Sequence, residues 1–505
     1  MKRFLGCMAA YLLVCGLPLS PSFGITTVEA LSGLKAYALE SMEEEKVPGL
    51  SYVVVKDGEI IATEGLGVRE AGKAAPVTPQ TVFEIGSTTK AFTATLVAMM
   101  VDEGKLAWND KVITHLPDFK MNDPWTTKEM EVQDLLCQRS GIPAYALTWM
   151  NYLGFSRDRL VRALRFVEPV TSFRSAFAYQ NAMLTVAAEL VEKKTNRSWD
   201  DNLDLRLFRP LGMKESTSRQ EVVDTMKDVA RGHERLEDGS LWTIPADWRF
   251  QHVVDSAGPA GGIRSSARDL GKWVRFQLDR GAVTGQRLVS EENMNYLFAP
   301  KTLVTAGPDP ASYASGWVYL SRSPHALIHH SGGIPGYSSH VALIPDAKVG
   351  IALLCNRGEA GSLRKILEKF YELFSGQSPS SPPLNLDSPL APMPAPPRPH
   401  DRRPGTAAVQ SPPLPLDRYR GVYANPAYGK FKVVREAYRL VAFWGPKHLK
   451  TNLEPFSGST FLISWPDYPG LNMNVTFSVL SGAPADHLVI SELRDVDRGV
   501  FKRVE

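Results

Sequence analysis

Cysteine is scarce in this chain, and its scarcity argues against a fold held together by disulfides. The 505 residues contain four cysteines, too few for a small secreted domain held together by a disulfide framework. Cys7 and Cys15 lie in the first 24 residues, which leaves Cys137 and Cys355 far apart in sequence. Cys355 lies in the apolar run VGIALLCN, which favours a buried free thiol, and packing is the simplest role for Cys137. A disulfide between the two stays open in an exported protein.

Ligand patterns for metals and cofactors are also missing. The sequence has no Cys/His spacing typical of zinc. His329 and His330 are adjacent in a predicted strand, so they point to opposite faces and make a poor metal pair. We therefore expect no metal and no organic cofactor.

The charge is nearly balanced and no basic stripe occurs. Lys and Arg number 57 against 54 Asp and Glu, for a formal net charge of +3. Two of these positive charges, Lys2 and Arg3, lie in the N-terminal segment. This balance argues against nucleic acid as a partner.

Long hydrophobic runs are absent except at the N-terminus. Residues 1–24, MKRFLGCMAAYLLVCGLPLSPSFG, have a basic start, an apolar stretch and the small residues Ser22 and Gly24 near a plausible cleavage point. This pattern predicts a secretory signal peptide, hence a secreted or periplasmic protein. The apolar stretch is short for a spanning helix, although an uncleaved anchor stays an alternative. We expect no other membrane span.

Composition divides the rest of the chain into three parts. Residues 378–415 hold 13 of the 37 prolines, which predicts an extended, semi-rigid linker rather than a packed element. Residues 416–505 alternate apolar and polar side chains between turn signals, which predicts about eight short strands and a small all-β barrel. The barrel could cover a site, mediate oligomers, bind an apolar ligand or be an inert appendage.

Residues 25–377 predict an α/β domain. The segment LSYVVVKDGEIIATEGLGV is typical of a β-hairpin turning at Asp57-Gly58. The segments GWVYL, ALIHHSG, SHVALIP and VGIALLCN predict further strands of the same antiparallel sheet. Residues 100–255 look mainly helical. We expect helices flanking the sheet, a helical subdomain beside it, and a pocket between the two.

The run FEIGSTTK places Ser87 and Lys90 three residues apart where a long apolar helix begins. Residues i and i+3 share one helix face, so Lys90 would lie within reach of the Ser87 hydroxyl. The helix N-terminus would stabilise negative charge developing at the serine. This is the arrangement of an activated nucleophile. Ser-x-x-Lys is a weak pattern, however, since Ser32 and Lys35 match it equally well and a helix cap with a solvated lysine explains either pair.

Two further motifs follow later in the chain. Tyr179-Gln180-Asn181 enters a second apolar helix, and a tyrosine near the serine can relay protons. His330-Ser331-Gly332-Gly333 lies between two predicted strands, where glycines let backbone N–H groups approach an oxyanion. Tyr423-Ala424-Asn425 repeats the Tyr-x-Asn pattern, but it follows the histidine motif and lies in a different segment.

Together these motifs resemble the serine penicillin-recognising hydrolases, in particular the branch of class C β-lactamases and D,D-peptidases. The resemblance extends from about residue 30 to about residue 375. It also includes the stretches LLCQRSGIP, RPLGM, GPAGGIRSSARDLGKW and ASGWVY. The segment LDRYRGVYANPAYGKFKV resembles the start of the lipocalin-like domain that follows some peptidases of this superfamily.

The resemblance implies a role for each matching residue. Ser87 would be the acylated nucleophile, with Lys90 and Tyr179 as the proton-transfer pair. Asn181 would orient the lysine and the substrate. The backbone N–H groups of Ser87 and Gly333 would form the oxyanion hole. For Lys90 to act as a base at neutral pH, its pKa must fall well below about 10.4 through burial or cationic neighbours.

One departure from the family pattern concerns the strand that would bind the substrate. His330, Ser331 and Gly332 stand where many β-lactamases have Lys-Thr-Gly. Histidine is mostly neutral at pH 7, so we expect weak recognition of a β-lactam carboxylate. The sequence therefore favours a peptidase, amidase or esterase, with D-amino-acid peptides among the candidate substrates. A β-lactamase or penicillin-binding protein is the first alternative, and a non-catalytic binding protein that uses its barrel is the second. A homo-oligomer stays open.

Overall fold

The structure, a computed structural model, describes residues 26–236, 238–248, 250, 256–376, 384, 386, 412, 414–465, 472–479 and 483–505. The predicted signal peptide and most of the predicted linker lie outside these residues. The described part has the predicted architecture, an α/β domain followed by an all-β barrel.

The centre of the first domain is an eight-stranded sheet in which every neighbouring pair is antiparallel. The first hairpin turns at Asp57 and Gly58, whose φ values of 50° and 80° suit the tight turn predicted there. In spatial order the strands are Glu59–Gly67, Gly49–Lys56, Val349–Cys355, Tyr337–Ile344, Leu327–Ile334, Val318–Leu320, Ala311–Tyr313 and Thr302–Thr305.

Both faces of this sheet are covered, which explains why the strands Gly49–Lys56 and Val349–Cys355 are largely apolar. Along Gly49–Lys56 side chains alternate between two cores: Tyr52 and Val54 join one, whereas Val53 and Val55 join the other. On the first face pack the helices Thr27–Glu45 and Ser362–Phe374. On the second face packs the amphipathic helix Ala267–Leu278.

The second face also carries the helical subdomain. Its central helix, Thr89–Asp102, is buried along nearly its whole length and packs against Ala182–Thr195. Smaller helices surround them: Val112–His115, Pro124–Glu129, Thr148–Tyr152, Arg157–Ala163, Trp199–Leu203, Arg209–Leu211, Gln220–Val223, Gly258–Gly261 and Glu291–Phe298. Short strand pairs connect them: Phe83–Glu84 with Arg264–Ser265, His233–Arg235 with Leu241–Thr243, and Ala282–Val283 with Gln286–Arg287. None of the helices in the described residues is both long and apolar enough to span a bilayer.

Two leucines of the proline-rich segment do pack. Leu384 and Leu386 are buried in the core beneath the helices Thr27–Glu45 and Ser362–Phe374. The proline-rich composition does not predict the packing of these two leucines, because it depends on apolar surface of the first domain. The linker itself stays a prediction.

The C-terminal strands close into a barrel of eight, each paired with the next and the last with the first. Rings from non-adjacent strands meet inside it: Phe431 and Trp444 each contact Phe501 at centroid distances of 6.1 and 5.8 Å. Side chains therefore fill the interior, as expected for a barrel this small. The strands are Gly421–Asn425, Gly429–Glu436, Arg439–Trp444, Leu449–Ser457, Thr460–Ser464, Asn472–Phe477, His487–Ile490 and Val500–Arg503.

Candidate active site

Ser87 lies on a single 3₁₀ turn, Gly86–Thr88, that leads from the strand Phe83–Glu84 into the helix Thr89–Asp102. Gly86 has a φ of +50°. A Cβ at Gly86 would lie 2.9 Å from the backbone nitrogen of Gly333. Only glycine lets the serine turn approach the neighbouring strand so closely.

Lys90 is completely buried one turn beyond Ser87. Its Nζ donates to Ser87 Oγ at 2.9 Å and to the carbonyl oxygen of Ala260 at 2.9 Å. Burial lowers the pKa of Lys90 well below its ordinary value. The lowered pKa favours the uncharged amine, which can accept the proton of the serine hydroxyl that it contacts.

Tyr179 lies against the same pair. Lys90 Nζ is 4.7 Å from the centre of its ring. Burial raises the pKa of Tyr179 well above its ordinary value, the nearby Tyr313 and Tyr145 raise it further, and a hydrogen bond with Ser87 opposes them. The phenol is therefore protonated, which suits it to donate or relay a proton.

A loop over residues 138–147 packs against Tyr179 and hydrogen-bonds the backbone of residues 178–180. Gln138 accepts the N–H of Ala178 at 2.9 Å through its backbone oxygen, and its side chain accepts the N–H of Gln180. Tyr145 donates its N–H to the Tyr179 carbonyl at 2.8 Å, and its ring lies 5.3 Å from that of Tyr179. The orientation of the tyrosine thus depends on this loop.

Asn181 is half-buried at the start of the helix Ala182–Thr195. The hydrogen bonds of Lys90 in this structure go to Ser87 and Ala260. The role of Asn181 in holding the lysine and the substrate stays a prediction.

The strand Leu327–Ile334 brings the histidine motif beside the serine turn. Its pairing with Val318–Leu320 ends at His329, so that strand does not cover the edge from His330 onward. A Cβ at Gly332 would overlap the carbonyl oxygen of Ile85 and the hydroxyl of Ser339, whereas a Cβ at Gly333 would meet nothing within 4 Å. Gly332 therefore permits the close packing of the strand, and Gly333 faces open space.

His330 is only 1% exposed and contacts the protein interior. Its Nε2 is 3.0 Å from the hydroxyl of Tyr313, and its Nδ1 is 2.6 Å from the Ser331 carbonyl oxygen. Burial lowers the pKa of His330 to about 3. Because the ring is neutral, it offers no positive charge that could bind a substrate carboxylate.

The neighbouring histidine turns to the opposite face, as its place in a strand predicts. His329 Nδ1 lies 3.0 Å from Nε2 of His340, and both rings are buried. In the part of the chain that the structure describes, no group of three or more His, Cys, Asp or Glu side chains could hold a metal ion. Cys137 and Cys355 are buried free thiols, so the alternative of a disulfide between them is wrong.

A cavity of about 290 Å³ adjoins the two strands of the site. Glu84, three residues before Ser87, and Ile334, directly after Gly333, both line it. Its wall combines apolar side chains with the guanidinium of Arg264, whose Nε is 3.7 Å from the Glu84 carboxylate.

The similar motifs lie elsewhere in the structure. Ser32 and Lys35 are exposed on the first helix, where Lys35 pairs with Glu64 at 3.0 Å. Tyr423 and Asn425 are structural parts of the barrel, bonded to backbone carbonyls of Tyr419 and Val500.

Several residues of the site were not identified from the sequence. The Ala260 carbonyl lies in the stretch GPAGG, and Tyr313 lies just before the stretch ASGWVY, both noted only for their family resemblance. Tyr145 carries no motif. Its position depends on how the loop folds, which spacing alone does not show.

The adjacent glycines Gly332 and Gly333 offer a matched test of how the strand Leu327–Ile334 packs against the serine turn. We expect Gly332→Ala to lower the melting temperature by several degrees, about 1–3 kcal/mol, because the new methyl group overlaps Ile85 and Ser339. Gly333→Ala should leave the melting temperature unchanged, since its methyl group meets open space. Thermal unfolding of both variants checks this, and equal losses would contradict the described packing.

Comparison with known proteins now identifies the class. Residues 34–372 match the Beta-lactamase family, which covers most of the first domain and more than half of the chain. The protein therefore belongs to the Beta-lactamase family. Residues 406–495 match DUF3471, a domain of unknown function.

Individual relatives agree with this assignment. The chain is 27% identical over 464 residues to the unguisins hydrolase ungD' of Aspergillus campestris, covering 84% of this chain and 82% of that protein. It is 29% identical over 318 residues to protein flp of Staphylococcus aureus, covering 62% of this chain and 61% of that protein.

Solved structures share the fold. The octameric penicillin-binding protein homologue from Pyrococcus abyssi superposes with a TM-score of 0.61 at 22% identity, covering 93% of this chain and 99% of that one. SurE superposes with a TM-score of 0.57 at 20% identity, covering 95% of this chain and 100% of that one.

Proposed function

We propose that the protein is a serine hydrolase that acts through an acyl-enzyme on Ser87. The observation that supports this most is the contact between Lys90 Nζ and Ser87 Oγ, 2.9 Å apart with the amine fully buried. Burying an amine away from water lowers the stability of the fold, and groups whose pKa values are shifted by burial cluster at functional sites.

The reaction begins with attack of Ser87 Oγ on a substrate carbonyl carbon. Lys90 takes the hydroxyl proton as the new C–O bond forms. The N–H groups of Ser87 and Gly333 stabilise the oxyanion. As the bond to the leaving group breaks, the lysine proton passes to that group through the Tyr179 hydroxyl. Water then attacks the acyl-enzyme with Lys90 as base, which releases the acid and restores Ser87.

The favoured substrates are peptides, amides or esters, with D-amino-acid peptides as the first class to test. The name of the Aspergillus relative is that of a hydrolase, and a structure of SurE is described as holding D-Leu. The neutral His330 disfavours a β-lactam carboxylate. The cavity beside Glu84 and Ile334 offers room for a substrate side chain.

The wider organisation also remains a proposal. We infer a signal peptide over 1–24, a hydrolase domain over 25–377, a proline-rich linker over 378–415 and a lipocalin-like barrel over 416–505, in a secreted or periplasmic protein. Because the Pyrococcus abyssi homologue is octameric, we also expect that this chain can form a homo-oligomer, which light scattering would test.

A substrate panel tests the proposed reaction. The protein is incubated with an activated ester, a D-amino-acid peptide amide and a chromogenic cephalosporin while product and protein mass are followed together. We expect turnover of the ester or the amide through a transient adduct on Ser87, and slow turnover of the cephalosporin. Fast cephalosporin turnover would instead indicate a β-lactamase. An adduct without product would indicate a penicillin-binding protein, and neither adduct nor product would favour a binding role.

A further inference from the structure

The barrel contacts the hydrolase domain through a carboxylate on one of its loops. Asp495 lies between the strands His487–Ile490 and Val500–Arg503. One of its oxygens accepts the backbone N–H of Leu147 at 2.6 Å. The same carboxylate accepts the hydroxyl of Tyr428, within the barrel, at 2.8 and 3.0 Å. The carboxylate thus joins a barrel side chain to a backbone group of the first domain.

Other contacts hold the two domains together at this place. The next residue, Val496, forms a β-bridge with Val167. Arg159 donates from its guanidinium to the carbonyl oxygens of Pro426 and Ala427, at 2.7 and 3.1 Å. The interface therefore has several contact points. Asp495 is the contact that reaches the loop 138–147 beside the active site.

The loop that Asp495 holds is strained. Tyr145 and Leu147 have φ values of 60° and 62°, a region that non-glycine residues adopt only when their surroundings require it. The Leu147 side chain is buried, so replacing it by glycine would not be favourable either. An acceptor on the Leu147 N–H stabilises this conformation from outside the first domain.

The same loop positions the proton relay. Two residues before Leu147, the N–H of Tyr145 bonds the Tyr179 carbonyl oxygen, and the two rings pack together. Tyr179 in turn contacts Ser87 and Lys90. A continuous series of contacts thus runs from the barrel carboxylate to the nucleophile.

We propose that Asp495 is a positioning residue for the reaction, through which the C-terminal barrel fixes the loop 145–147 and so the orientation of Tyr179. The barrel would then be a working part of the active site, through the contact of Asp495 with the loop 145–147. This inference rests on the proposed function, because it assigns Asp495 to the same proton relay.

The test is a series of substitutions at one position. Asp495→Ala removes the acceptor, and we expect acylation of Ser87 by a fluorophosphonate, and kcat for the activated ester, to fall by about ten-fold with KM nearly unchanged. Asp495→Asn retains an oxygen that can accept the Leu147 N–H, so it should restore most of the rate. Arg494→Ala, the same truncation at the exposed neighbouring residue, should behave as the wild type.

A barrel variant separates positioning from general loss of stability. Tyr428→Phe removes one partner of Asp495 but leaves the carboxylate free to bond Leu147. We expect it to lower the melting temperature without slowing acylation. If Tyr428→Phe slows acylation as much as Asp495→Ala does, or if Asp495→Asn is as slow as Asp495→Ala, the positioning role is wrong.

Hydrogen exchange gives a readout that does not depend on activity. In Asp495→Ala, amides of residues 138–147 should exchange faster, while those of the helix Thr89–Asp102 keep their protection. If the wild-type protein neither reacts nor turns over, the proposed function fails, and faster exchange would still establish the anchor. Unchanged exchange in 138–147 would overturn the anchor even if the enzyme is active.

Discussion

Ser87→Ala is expected to reduce hydrolysis of every accepted substrate by about 10⁴-fold or more, the largest effect of any single substitution in this protein. Removing the hydroxyl removes the group that would form the covalent intermediate, while the backbone N–H groups that would stabilise the oxyanion remain. The residual rate should therefore exceed that of the uncatalysed reaction. Steady-state kinetics measure the fall in rate and the residual rate. The mass of the protein after fluorophosphonate treatment shows whether the covalent adduct still forms.

The sequence supplies its own control for this experiment. Ser32 has the same Ser-x-x-Lys context but lies exposed on the first helix. Ser32→Ala should keep wild-type kinetics and a full fluorophosphonate adduct. The fold of Ser87→Ala should be intact, since a small side chain is truncated next to Gly86 without leaving a large cavity. Wild-type turnover in Ser87→Ala would exclude the acyl-enzyme mechanism.

Much of the fold could be predicted because each of its strands and helices has a strong local signal. The Asp57-Gly58 turn, the apolar strands and the alternating C-terminal segment each specify one structure through their pattern. The α/β fold and the eight-stranded barrel are confirmed. Leu384 and Leu386 were missed because their burial depends on an apolar surface supplied by distant helices, and a proline-rich composition gives no sign of that surface.

The candidate site was likewise predictable only in part. Ser87, Lys90 and Tyr179 belong to motifs, and the structure brings them together. Tyr145, Tyr313 and Asp495 could not be found from the sequence, because each acts through contacts between segments far apart in the chain. Spacing within a helix predicts which side chains share a face, but it does not predict which loop lies behind them.

Lys90→Met is expected to inactivate the protein and stabilise it at the same time. The rate should fall by about 10³-fold, because no other base contacts Ser87 Oγ among the described residues. Two hydrogen bonds are lost, at about 1 kcal/mol each. The gain from replacing a buried amine by an apolar side chain of similar length exceeds this loss, so the melting temperature should rise at pH 7.

The pH dependence of this stabilisation identifies its cause. The folded-state pKa of Lys90 is lowered, whereas in the unfolded chain it is about 10.4. Between that lowered pKa and about 10.4 the unfolded state binds a proton that the folded state does not, so the contribution of Lys90 to stability rises with pH over this range. Lys90→Met removes this slope, so its advantage should be large at pH 7 and smaller at pH 9.5. Lys35→Met, at the exposed lysine of the similar motif, should show neither the gain nor its pH dependence. A Lys90→Met variant that is less stable than the wild type by the same amount at both pH values would mean that the lysine is charged in the folded protein and cannot serve as the base.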